Sequence, residues 1–153
     1  QKFLKQKKIG AVMFDDLLDK GKTIIEQLEY IRDQVYYAFV IITPDDVGCL
    51  REDMQKIAQM VIGKKSVSVE TVNKIFESLP ERGRQNVIFE LGLFTGALGR
   101  ENVCCLLQKN VRDTPTDIDG ILHKSFDRSV TEIFHEIEDE LKENEFEERG
   151  RHK

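Results

Sequence analysis

A chain of 153 residues and 17.7 kDa has room for one hydrophobic core, so the sequence reads as a single domain over 1–153. Its net charge of −5 falls wholly in residues 131–153, which hold nine acidic and four basic side chains, while residues 1–130 hold nineteen of each and no Lys/Arg stripe. A neutral body excludes a non-specific nucleic-acid grip, and the apolar run through Tyr36–Ile42 is far short of the roughly 20 residues of a membrane span.

Taken in chain order, residues 1–8 read as the end of a helix, and residues 9–14 (IGAVMF) as a short buried strand. Ile24, Ile25, Leu28, Ile31 and Val35 recur at helical spacing between Gly21 and Val35. The β-branched and aromatic run 37–43 is the strongest strand signal, punctuated by Pro44 and Gly48. Amphipathic helices follow at 51–62 and 69–79, the second capped by Ser68. A third helix at 85–98 ends at Gly99. Strands are expected at 102–107 and, weakly, at 121–126. A last helix spans 129–143, capped by Ser129 or Thr131, and its acidic side reads as a solvated face running into the tail.

Strands without alternation, interleaved with helices, imply a parallel sheet covered on both faces, an α/β sandwich of flavodoxin-like form. Ligands in such sheets bind beyond the carboxyl ends of the strands, which directs attention to residues 15–22, 43–49 and 108–119. This topology also calls for a first strand upstream of Gln1, which either is missing or lies in residues that precede this sequence.

The segment Arg82–Arg100 (RGRQNVIFELGLFTGALGR) is the most informative. Residues 85–99 carry a single charge, Glu90, on a helix that is apolar on nearly every side and so is expected against the sheet. A carboxylate there is costly unless paired, neutralised or facing a cavity, so Glu90 is either a structural partner of an arginine or a site residue. Gly92 and Gly96 are expected at the closest approach of helix and sheet. Gly21-Lys22-Thr23 lacks the earlier glycine of a P-loop, since Asp16 occupies that position, which argues against an NTPase. Thr43-Pro44-Asp45-Asp46 is a turn or a pocket rim. His123, His135 and His152 lack metal-ligand spacing. Cys104 and Cys105 read as core thiols, and with Cys49 they offer neither a disulfide framework nor a Cys-x-x-Cys zinc motif, which makes a reducing cytoplasm the default compartment.

The segments ITPDDVG (42–48) and RGRQNVIFELGLFTGALGRENVCCLL (82–107), with DKGKTIIEQLE (19–29) and PTDIDGI (115–121) in the same order, resemble the bacterial TIR-like (Toll/interleukin receptor-like) domain regarded as nucleotide-binding, as in TIR-STING anti-phage effectors. The resemblance covers most of residues 1–128. It implies an enzyme that takes NAD+ as substrate, without a further cofactor or metal, and hydrolyses it to nicotinamide and ADP-ribose. By position it implies Glu90 as the catalytic carboxylate, with Arg84, Gln85, Asn86, Asp45 and Asp46 at the substrate. It further implies that loop 15–22 closes on a neighbouring copy in an oligomer or filament, and that a cyclic-dinucleotide sensor (STING) module lies outside this chain.

Two departures accompany the resemblance. The family's first strand has no counterpart. Residues 49–81 form a helical insertion that shapes pocket access, makes an oligomer contact, or is inert. Two other functions compete with NAD+ cleavage. A non-catalytic TIR adaptor would be expected to lack a glutamate at position 90. A receiver-type phosphoacceptor would need an aspartate ending strand 37–43, where Thr43 stands.

Overall fold

The computed structural model describes residues 2–7, 9–14, 21–64 and 66–144. In chain order the elements are α1 (Lys2–Gln6), α2 (Ile24–Arg32), β1 (Ala38–Ile42), β2 (Asp46–Val47), α3 (Arg51–Val61), α4 (Val69–Ser78), β3 (Glu81–Arg82), α5 (Gln85–Leu98), β4 (Val103–Gln108), β5 (Leu122–Phe126) and α6 (Phe134–Glu143).

β1, β4 and β5 form one parallel sheet in that order, with Ala38 opposite Val103, Ile42 opposite Leu107, and Cys104 opposite Leu122. β4 is the central strand, and its residues alternate between two cores. Val103 and Cys105 pack with Val40, Ile42 and Leu91 beneath α5, while Cys104 and Leu106 pack with Phe126, Ile133, Ile137 and Leu141 beneath α6. Burial on both faces is why this strand is a continuous apolar run. Desolvation raises both thiols, Cys104 to about 12 and Cys105 to about 11, so each is held neutral as a small hydrophobe.

Helix starts follow the sequence chemistry. Thr23 caps α2 in a capping box with Glu26, whose carboxyl is held below its usual value by the Thr23 backbone N–H. Ser68 caps α4 by accepting from the Thr71 amide at 3.2 Å. At the last helix Ser129 is the cap, and Glu132 accepts from the amides of Asp127, Arg128 and Ser129, each at 2.9 Å, which lowers its pKa. The first turn there is a tighter 3-10 segment, Val130–Ile133, before α6 begins. α5 ends at Gly99, whose φ of 84° is open to glycine and costly for other residues.

Four expectations are corrected. Residues 9–14 form no strand and pair with no described strand; the Ile9 amide returns to the Leu4 carbonyl at 3.0 Å, and Val12 and Met13 are exposed. A six-residue apolar run is a strand only when a ladder partner exists, and the described residues supply none. Gly92 and Gly96 do not meet the sheet: a Cβ at either would find open space. The contact stripe of α5 is Val87, Leu91, Phe94 and Leu98, and the glycines lie on another face of the helix. α5 is also less enclosed than its composition implies, with Leu91 buried and Phe89 54% exposed. Finally, the last helix is not solvated on all its acidic positions. Glu140 is 7% exposed, accepts from the Tyr37 hydroxyl at 2.8 Å and from Asn144 Nδ2 at 2.9 Å, and pairs with Lys124 Nζ at 3.4 Å. Burial first, and the bond to Glu140 second, push the Tyr37 hydroxyl pKa upward.

Candidate functional site

The carboxyl end of β1 leads straight into the turn at residues 43–46. There the Thr43 hydroxyl donates to Asp45 Oδ2 at 2.6 Å, and the Asp45 amide reaches back to the Thr43 carbonyl at 2.8 Å. The next residues form an antiparallel two-residue ribbon, β2 with β3, in which Asp46 stands opposite Arg82. This ribbon carries no apolar alternation, so sequence pattern does not disclose it; matched charges and backbone geometry set it instead.

Two aspartate–arginine pairs result. Asp46 Oδ2 lies 3.4 Å from Arg82 Nη2, and Asp45 Oδ2 lies 3.6 Å from Arg84 Nε. The first pair is the more enclosed, with 30% of the Arg82 side chain exposed against 67% for Arg84. Arg82 also lies over Gly48, where a Cβ would sit 2.5–2.7 Å from the guanidinium, and its buried Nε meets no hydrogen-bond partner among the described residues. The Glu81 carbonyl accepts from the amides of Arg112 and Asp113 at 2.8 and 3.1 Å, which ties the ribbon to the loop after β4. Three loops at the carboxyl edge of the sheet therefore converge on Arg82. It was not among the residues implied by the resemblance, although its place two positions before Arg84 mirrors the Asp45-Asp46 doublet that it and Arg84 face.

The residues expected at the substrate divide between two flanks of α5. Arg84 is the N-cap residue and makes no side-chain cap bond, so the first amides of the helix have no side-chain acceptor from their cap. Gln85 lines a cavity of about 270 Å³ with Arg82, Gly83, Ile88, Asp113 and Pro115. A second, more apolar groove of about 510 Å³ follows, where Ile88, Gly92, Thr95 and Gly96 of α5 face Ile118 and Ile121. Asn86 and the half-buried Glu90, four residues apart, share the opposite flank of the helix, and Glu90 lines neither cavity. The structure thus brings Asp45 to Arg84 and Asp46 to Arg82, places Gln85 with Arg82, and sets Asn86 and Glu90 apart from them. Of the expected closing loop 15–22, residues 15–20 lie outside the described residues, while Lys22 lies 4.9 Å over the Tyr30 ring.

Comparison with known proteins supplies the family. The model of the CAP12/Pycsar effector protein TIR domain matches residues 1–128. A protein of Escherichia coli (strain K12), "Uncharacterized protein YuaY", is 30% identical over 126 residues, which is 82% of this chain and 34% of that protein. "CD-NTase-associated protein 12" of Sphingobacterium faecium is 50% identical over 46 residues, 30% of this chain and 14% of that protein. The chain therefore spans about a third or less of the length of these relatives. A parallel sheet with helices on both faces and a family match across residues 1–128 lead to one conclusion: the chain belongs to the TIR domains of the CAP12/Pycsar effectors, bacterial TIR-like domains of anti-phage defence.

Proposed function

We propose that this TIR domain is a NAD+ glycohydrolase in which Glu90 is the catalytic carboxylate. The observation that carries the reading is chemical: Glu90 is a half-buried carboxylate and the single charge of α5, held on a rigid apolar helix. In the reaction the bond between the ribose C1′ and the nicotinamide nitrogen breaks, and its electron pair leaves with neutral nicotinamide. Water adds at C1′ and releases one proton. Positive charge builds on the ribose as the bond breaks. A fixed carboxylate in a partly desolvated setting offsets that charge more than one in bulk water. Asn86, on the same flank one turn earlier, would orient a ribose hydroxyl. The α5 N-terminus, which has no side-chain cap, would offer positive potential to the anionic end of the substrate, and Arg84 and Arg82, whose charges Asp45 and Asp46 offset, would contribute N–H donors.

Glu90 lines neither of the two cavities described above, and in our reading a second copy completes the pocket around it. A cyclic-dinucleotide sensor module outside this chain, which the family resemblance implies, would bring copies together in the cytoplasm. The same observation favours a second reading, a TIR domain that assembles without catalysis. Nicotinamide release from NAD+ over a protein concentration series separates them. Release that rises faster than linearly with protein is expected for the enzyme that assembles. No release at any concentration at which copies associate supports the non-catalytic assembly domain.

A further inference from the structure

The apolar groove on the flank of α5 opposite Glu90 takes no part in the chemistry proposed above. Its volume is about 510 Å³, within the roughly 300–1,000 Å³ of small-molecule sites. Ile88 and Leu91 of α5 line it together with Ile118 and Ile121 from the segment before β5. Three further lining positions, Gly92, Gly96 and Gly120, carry no side chain. A Cβ at any of them would meet open space, and none of the three has a positive φ. Neither packing nor backbone conformation calls for glycine there, and a glycine inside a helix is costly relative to alanine. What the three positions leave is room in the groove.

The chemistry of the lining narrows what fits. Side chains along the groove offer no free hydrogen-bonding group, because the Thr95 hydroxyl donates to the Leu91 carbonyl at 2.7 Å. A peptide or a nucleotide laid there would strand its own donors and acceptors, whereas a hydrocarbon chain strands none. Between Ile88 and Gly96 the helix rises about 12 Å at 1.5 Å per residue, room for a chain of medium length. Arg100 borders the groove just past the helix end. It is exposed and makes no ion pair among the described residues, and Glu101, next in sequence, lies instead against Gly99. At the other end Ile88 and Pro115 also border the cavity of Arg82, but Asp46 pairs with that guanidinium. An arginine without an internal carboxylate accepts an external one through two parallel hydrogen bonds.

We propose that this groove binds an amphiphilic anion, a free medium-chain carboxylate whose hydrocarbon tail lies over Gly92 and Gly96 and whose headgroup meets Arg100. The site is separate from Glu90, so the proposal holds whether or not NAD+ is cleaved, and its test reads binding rather than turnover.

Calorimetric titration of the chain with decanoate, kept below micelle formation, tests it. Saturable one-to-one binding is expected for the wild type, with butyrate roughly a hundredfold weaker because it lacks most of the tail. Arg100→Gln should weaken decanoate about tenfold, and Gly96→Leu, which fills the groove, should abolish binding. Leucine is the better helix former and its Cβ meets open space, so Gly96→Leu should melt at or above the wild-type temperature. Arg100→Gln changes an exposed side chain, and it decides the headgroup contact even where Gly96→Leu melts lower. A wild type that shows no saturable binding of decanoate overturns the proposal. So does undiminished binding by Arg100→Gln or by folded Gly96→Leu, or decylamine that binds as well as decanoate, since the tail alone would then suffice. Displacement of decanoate by NAD+ would give the groove to the nucleotide and overturn the proposal as well.

Discussion

Gly83 sits where a Cβ would collide with the side chain of Ile42, which is fully buried at the end of β1. A methyl group there must displace either the core or the chain that delivers Arg84 and Gln85 to the site. Gly83→Ala is therefore expected to cost about 1–3 kcal/mol by overpacking. Asp46→Asn removes one charge from a pair whose members are 42% and 30% exposed, and is expected to cost less than about 1 kcal/mol. Urea titrations of both variants check the contrast, and equal losses would contradict the account of Gly83. The thiols give a second test. Cys104 and Cys105 are fully buried and Cys49 is partly exposed, so a native chain should react with an alkylating reagent at one cysteine and a denatured chain at three. The raised thiol values also carry a sign. Below the ordinary thiol value of 9.0 neither state ionises, and stability is full; between that value and about 11–12 only the unfolded chain loses these protons, so stability falls as pH rises through this window. Unfolding free energies that stay flat there would contradict the burial of both groups.

Helices and long strands were legible in the sequence because their physics is local. The run at 37–43 and the run at 102–107 became the parallel pair β1 and β4, and the caps at Ser68 and Ser129 were readable from their side chains. Elements fixed by distant partners were not legible. The β2–β3 ribbon rests on pairing across 36 positions, from Asp46 to Arg82, and the 9–14 run looked like a strand without supplying its own partner. The buried Glu140 was hidden for the same reason: it follows Ile137 by one helical turn on the inward face of α6, yet its partners Tyr37 and Lys124 come from before β1 and from β5. That cluster ties α6 to the sheet. Tyr37→Phe removes one buried hydrogen bond and should cost about 1–2 kcal/mol. Glu140→Ala strands Lys124, only 16% exposed, and should cost about 3–5 kcal/mol. Thermal melts rank the two, and a milder effect for Glu140→Ala would show that Lys124 finds water instead.

At the scale of the whole molecule, two cores lie on either side of β4, and the candidate site lies at the carboxyl edge of the sheet and along α5. The candidate site was partly legible: the aspartates at 45 and 46 and the arginine at 84 do converge, whereas Gln85 and Glu90 point along different flanks of one helix, a division that motif matching along a line of sequence does not resolve. The central claim is that Glu90 acts on the substrate rather than on the fold. Nicotinamide release by purified Glu90→Gln, measured beside its melting temperature, tests that claim most directly. The account predicts a protein that melts at or near the wild-type temperature and cleaves NAD+ roughly a hundredfold to a thousandfold more slowly, a loss of about 3–4 kcal/mol of transition-state stabilisation. A folded Glu90→Gln protein that releases nicotinamide at the wild-type rate would contradict it.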